Sequence, residues 1–183
     1  LNPDLKVIAP MRECPVTREE EIEYAKEHDI EIIVKKESPY SRDENLWGAS
    51  CECGALEDPW MEPPAGVWTK TVNPEDAPEK PEYIEIEFKK GVPVALNGKK
   101  MNGVELVETV EKIAGDHGVG RIDHVEDRLI GIKSRETYEC PAAITLITAH
   151  RSLEGLVLSK DVIEFKRSIE QKVSQIIYDG LWF

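Results

Sequence analysis

The residues with the most chemistry to offer lie in two polar stretches, Ser38 to Ser50 and Glu126 to Tyr138. The first brings together Ser38, Tyr40, Ser41, Asp43, Asn45 and Ser50. The second crosses from an apolar strand candidate, Arg128 to Lys133, into a segment dense with charge ending at Tyr138. Serine and tyrosine hydroxyls can hydrogen-bond either end of a small polar ligand, and a carboxylate such as Glu126 can pair with an ammonium. Charged loops are common ligand sites. A solvated, salt-bridged loop has the same composition, so the pattern alone stops at one acidic-polar site. Lys133 and Arg135 are open to two roles: steering an anion, or bridging to nearby Glu136 and Glu139.

Other chemistries find less support. The cysteines, Cys14, Cys51, Cys53 and Cys140, do not form paired C-x-x-C knuckles, and His28, His117, His124 and His150 are scattered. Reduced structural thiols are expected, with no metal site. The run Gly115-Asp116-His117-Gly118-Val119-Gly120 does not lead from a strand into a helix. A phosphate-binding turn needs that context, because the helix N-terminus supplies part of the binding. A tight helix-to-strand connection is expected instead. No Ser-His-Asp or G-x-S-x-G pattern occurs.

The elements that must position these residues read as an α+β fold. Lys6 to Pro10 reads as a short strand stopped by proline, and Glu31 to Lys35 as another. Between them, Thr17-Arg18-Glu19-Glu20 is a capping box opening a helix to about His28, with Ile22 and Ala25 inward. That order suggests a short βαβ remnant of an α/β domain. Residues 38 to 57 read as irregular. Six of the twelve prolines fall between Pro59 and Pro81, which excludes helix or central strand there. With Trp60 and Trp68, that segment reads as an ordered connection packed on a surface.

Period-two alternation over Tyr83 to Phe88 and Val92 to Leu96 predicts an antiparallel hairpin, with Pro93 at an edge or bulge and a turn at Asn97-Gly98. A helix follows with Val104, Val107, Val110, Ile113 and Ala114 inward and Gly115 ending it. Pro141 to Leu153 is ambiguous by period; Pro141 at a first turn, the length and Gly155 beyond favour helix. A last helix is capped by Ser159, lined on one face by Phe165, Ile169, Val173, Ile176 and Ile177, and ended by Gly180.

A net charge of −13 argues against a nucleic-acid backbone as partner. No apolar run approaches the roughly 20 residues that span a bilayer, so no membrane partner is expected and the location expected is cytoplasmic.

Several motifs in order resemble the argininosuccinate synthases. They are Lys6-Val7-Ile8-Ala9-Pro10, Ser38-Pro39-Tyr40-Ser41-x-Asp43-x-Asn45-Leu46-Trp47, Leu56-Glu57-Asp58-Pro59 and Glu85-Ile86-Glu87-Phe88-x-x-Gly91-Val92-Pro93-Val94. Gly118-Val119-Gly120-Arg121-Ile122-Asp123, Gly131-x-Lys133-Ser134-Arg135-x-x-Tyr138-Glu139-x-Pro141-Ala142 and Tyr178-Asp179-Gly180-Leu181-Trp182-Phe183 continue the series to the last residue. Met11 stands where the family pattern has tryptophan, Cys51 and Cys53 where it usually lacks cysteine, and Asp127 where asparagine is frequent.

The resemblance implies a ligase that joins citrulline to aspartate using ATP with Mg2+, releasing AMP and pyrophosphate. It implies that residues 1–36 end a nucleotide-binding α/β domain. Residues 37–183 then form a synthetase domain, citrulline-binding and multimerising, truncated at its C-terminus. The family's pyrophosphate loop lies upstream, so the chain is expected to be inactive alone and a homotetramer when full length. Four citrulline contacts fall on Ser41, Ser50, Glu126 and Tyr138; none has to transfer a proton, so no catalytic residue is assigned. The alternative is a non-catalytic assembly or oligomerisation module.

Overall fold

The computed structural model of the chain describes residues 2–31 and 39–183, which fall into two compact units, Leu1–Ser38 and Pro39–Phe183. The first unit holds two helices, α1 (Pro10–Glu13) and α2 (Arg18–Glu27). The capping box forms: the Thr17 hydroxyl accepts from the Glu20 amide at 3.3 Å, and the Glu20 carboxylate accepts from the Thr17 amide at 2.7 Å. Ala25 is buried and Ile22 half-buried, as the helical period requires. The strand expected over Lys6 to Pro10 is absent. Val7 and Ile8 are 89% and 77% exposed, no described strand pairs with them, and Pro10 instead opens α1 at a position where its missing N–H costs nothing. Most of the second expected strand, Glu31 to Lys35, lies outside the described residues, so a βαβ unit is not seen among the described ones.

The second unit is built on two antiparallel sheets with packed helices. Strands β1 (Ser41–Asn45), β2 (Gly48–Glu52), β6 (Arg121–Asp127) and β7 (Lys133–Glu139) form one sheet in the order β1-β2-β7-β6. Strands β3 (Ile86–Lys89), β4 (Val92–Leu96) and β5 (Lys99–Lys100) form the other. The β3–β4 register slips between Glu87 and Phe88, which lets Pro93 sit opposite Phe88 without a ladder donor. Helix α3 (Gly103–Asp116) is capped by the Asn102 side chain. Helices α4 (Pro141–Val157) and α5 (Lys160–Tyr178) follow, α5 capped by Ser159.

The main core joins Leu96, Leu106, Val107, Val110, Ala142 and Leu146. Val104, expected inward, is 52% exposed, and Leu106 takes the buried position. Gly115 does not end α3. It lies inside the helix because a Cβ there would sit 2.3 Å from the Lys70 carbonyl oxygen, so the helix needs glycine for close approach to the 67–73 segment. Gly155 likewise lies within α4. Residues 54–76, ending within the proline-rich segment, wind through three short 3-10 turns and bury Leu56 and Val67 beside Cys51. Trp68 packs there, with the Arg121 guanidinium 4.7 Å from its ring centroid, whereas Trp60 is 95% exposed.

The four-stranded sheet corrects two expectations. The stretch 38–57 contains a hairpin, β1–β2, closed by a turn in which the Trp47 amide donates to the Asn45 side chain at 2.8 Å. The apolar run Arg128 to Lys133 is the loop joining β6 to β7, with only Lys133 in a strand. Leu129, Ile130 and Ile132 stand 67%, 77% and 55% exposed, and Gly131 takes φ +80°. The charge-dense segment after it is β7 itself.

Candidate functional site

Alternation within strands divides the sheet into two polar faces. Register places Asp43 opposite Ser50, Ser50 opposite Tyr138, and Tyr138 opposite Ile122. Counting by twos from this row puts Ser41, Glu52, Glu136, His124 and Glu126 on the same face, and Arg42, Cys51, Thr137, Glu139 and Asp123 on the other.

The second face is structural, and Glu139 anchors it. Its side chain is 2% exposed and accepts five hydrogen bonds: from the Thr69, Lys70 and Thr71 amides at 2.8, 2.9 and 2.9 Å, and from the Thr71 and Thr69 hydroxyls at 2.7 and 3.4 Å. The Arg42 guanidinium lies 3.6 Å away. Burial alone would raise this carboxyl, but the converging donors outweigh it and hold it below the ordinary carboxylate value. Lys133 pairs with Asp127 at 2.7 Å, and Arg135 pairs with Asp123 at 2.8 Å and the Asp58 carbonyl at 2.7 Å. Both cations are therefore held, by partners other than the expected Glu136 and Glu139.

The first face carries the four residues picked out from sequence. The Tyr138 hydroxyl touches Glu126 Oε1 and lies 2.8 Å from Glu136 Oε2. Ser50 stands beside Tyr138 on the neighbouring strand, half-buried. Ser41 is one strand farther, on the exposed edge strand β1. Glu126 is on the opposite edge, so the two are separated by three strand spacings, about 14 Å. Glu126, Tyr138 and Ser50 thus form a group, and Ser41 lies on the same face without touching them.

Three residues of this face were missed in the sequence: Arg128, Glu136 and Tyr178. Arg128 reaches from the β6–β7 loop to Glu52 at 3.2 Å and Glu136 at 3.3 Å. Burial and the Glu136 charge raise the Glu52 carboxyl, Arg128 opposing them. Tyr178, in the last turn of α5, donates to Glu126 Oε2 at 2.7 Å. Nothing in residue spacing joins position 178 to position 126; only the Tyr178-Asp179-Gly180 motif flagged the region.

These contacts separate three carboxylates by charge. Glu52 and Glu136 share a guanidinium. Among the described residues, the side-chain hydrogen-bond partners of Glu126 are two neutral phenols, which orient it without cancelling its charge. Burial pushes its carboxyl up, but the hydrogen bonds from Tyr138 and Tyr178, with His124 and Arg128 nearby, bring it below the ordinary value. Burial and the two adjoining glutamates push the Tyr138 phenol well above its ordinary value, so it stays a donor. A cleft of about 830 Å3 opens beside Glu126, between β6 and helices α4 and α5.

The second unit is thus an α+β domain whose polar sheet face offers a carboxylate, Glu126, oriented by two phenols and close to further hydroxyls. That arrangement can hold a small polar molecule bearing an ammonium. Residues 40–183 match the family described as Arginosuccinate synthase C-terminal domain, and residues 1–31 match Arginosuccinate synthase N-terminal HUP domain. The whole chain is 60% identical to the argininosuccinate synthase of Oceanobacillus iheyensis, covering 44% of that protein. It is 58% identical to that of Halalkalibacterium halodurans and 56% identical to that of Listeria monocytogenes, covering 45% of each. The chain belongs to the argininosuccinate synthase family, and it spans less than half the length of these relatives.

Proposed function

We propose that the chain supplies the citrulline-binding face of an ATP-dependent carbon–nitrogen ligase. In this reading the whole enzyme condenses citrulline with aspartate to argininosuccinate, AMP and pyrophosphate, in arginine biosynthesis and the urea cycle. Residues 1–36 belong to its nucleotide-binding domain and 37–183 to its synthetase domain. Glu126 takes the citrulline ammonium, and the hydroxyls of Tyr138, Ser50 and Ser41 take polar atoms farther along the ligand. The observation that carries this is Glu126 itself: a carboxylate oriented by the Tyr138 and Tyr178 phenols, while Arg128 is held between Glu52 and Glu136.

The residues present do not fit a triphosphate. The glycine run at 115–120 connects α3 to β6, and a Cβ at Gly120 would lie 2.5 Å from the Pro141 nitrogen. ATP and its Mg2+ are therefore assigned to other residues of the enzyme. By this reading the isolated chain forms no AMP, because ligation needs both substrates and the nucleotide held together. In this reading the enzyme works in the cytoplasm as a homotetramer. No described helix is long and apolar enough to cross a membrane.

Calorimetric titration with citrulline tests the reading, with ornithine as control. The wild type is expected to bind saturably. Glu126→Gln is expected to weaken binding about tenfold, the cost of one charge-assisted bond at a half-exposed site. An unchanged affinity in that variant would refute the role given to Glu126.

One observation favours a second reading, an assembly module without catalysis. Helix α5 buries no side chain, and Val162, Phe165, Ile169, Val173 and Ile177 form an exposed apolar stripe along it. Sedimentation of the chain with and without citrulline separates the two readings: self-association with no ligand binding favours the module.

A further inference from the structure

We infer that Tyr178 is a positioning residue for citrulline, fixing the Glu126 carboxylate in the orientation that receives the ligand's ammonium. This rests on the citrulline reading given above. The Tyr138 hydroxyl lies against both Glu126 and Glu136, and its single proton can serve only one carboxylate at a time. Tyr178 has no competing acceptor among the described residues: its one side-chain hydrogen bond goes to Glu126 Oε2. It is thus the donor that Glu126 does not share.

The chemistry of a phenol suits this position. A lysine or arginine in its place would form an ion pair with Glu126 and compete with the incoming ammonium. A phenol directs both lone-pair geometry and carboxylate plane while leaving the negative charge available. The position also ties the site to a helix. Tyr178 is on the last turn of α5, which covers no core, so the seating of α5 against β6 decides whether Glu126 is gripped at one oxygen or two. The cleft beside Glu126 is walled by Arg151 of α4 and by Arg167 and Glu170 of α5, so displacement of α5 would open it further.

The test compares wild type with Tyr178→Phe, which removes one hydroxyl and keeps the ring. Far-ultraviolet circular dichroism first checks that the variant is folded, as expected for a helix that buries no side chain. Two quantities are then measured: the citrulline dissociation constant, and the titration of the Glu126 carboxyl carbon by 13C NMR without ligand. The residue-specific signal matters because Tyr138, Glu136, His124 and Arg128 also face Glu126, and Arg151, Arg167 and Glu170 line the same cleft.

The variant is expected to bind citrulline roughly three- to tenfold more weakly. Its Glu126 midpoint is expected to rise toward the ordinary carboxylate value, moving the acid limb of binding to higher pH. A merely structural role would lower thermal stability and leave that midpoint in place. Wild-type binding with an unchanged constant in Tyr178→Phe overturns the inference, and so does weaker binding with an unmoved midpoint. A wild type that does not bind citrulline overturns the reading beneath it, and the inference with it.

Discussion

Replacing Glu139 with glutamine should unseat the segment 67–73 from the underside of the sheet. The carboxylate is 2% exposed, and its two oxygens accept from Thr69 on one side and from Lys70 and Thr71 on the other. An amide can satisfy only one side. Its better orientation keeps the oxygen toward Lys70 and Thr71, where three donors converge, and turns its NH2 toward the Thr69 amide. The Thr69 N–H then loses its acceptor, the surviving bonds drop from charge-assisted to neutral strength, and Arg42 loses its counter-charge. Together these predict a loss of about 3–5 kcal/mol.

Urea titration followed by tryptophan fluorescence measures this, since Trp68 sits within the affected segment. A fall in Tm of about 10 °C or more should accompany the loss. The pH dependence adds an independent check. The folded carboxyl is held below its unfolded value, so between the two the unfolded state binds more protons and stability rises with pH. The contribution is complete above the unfolded value of about 4.3 and fades as pH falls through the folded one. The gap between wild type and Glu139→Gln should therefore be full at neutral pH and narrow below about pH 4. A loss under about 1 kcal/mol at pH 7, or a gap that widens in acid, would refute the account of Glu139 as the anchor.

Two further substitutions test local geometry. Gly48→Ala places a Cβ 2.2 Å from the Glu139 carbonyl oxygen at φ +146°, and a loss of more than about 2 kcal/mol is expected in the same urea assay, with weaker citrulline binding through displaced Ser50. Ser159→Ala removes the hydroxyl that accepts from the Val162 amide; the urea assay should show a cost of about 1 kcal/mol, with a small fall in total helicity by circular dichroism.

Helices α3 and α5 were legible because their apolar residues repeat with helical period over several turns, and α2 and α4 because the Thr17 capping box and Pro141 mark their starts; the short α1 was not. The β3–β4 hairpin was legible for the same kind of reason: one face is apolar, so alternation shows. The other sheet defeats that signal. In β1, Ser41, Asp43 and Asn45 alternate with Arg42 and Glu44, polar against polar, because one face carries the candidate site and the other carries ion pairs. The apolar residues nearby, Leu129 to Ile132, gather at the exposed loop, where they mimic a strand that the backbone does not form. The two corrections therefore share one cause. A sheet that is polar on both faces leaves no hydrophobic pattern to read.

The same alternation explains how one strand serves two ends. Tyr138 and Glu139 are adjacent in β7 and point to opposite faces, one to Glu126 and the other to the Thr69–Thr71 amides. The buried anchor sets the height and twist of the strand whose next residue carries the phenol. Disturbing Glu139 should then weaken citrulline binding even though it faces away from the ligand, whereas disturbing Tyr178 should change the ionisation of Glu126 with little loss of fold. Ser41, Ser50, Glu126 and Tyr138 could be picked out from family resemblance because each lies in or beside a matching motif. Tyr178 could not be tied to Glu126 that way, since their meeting depends on where α5 comes to rest and not on any spacing along the chain.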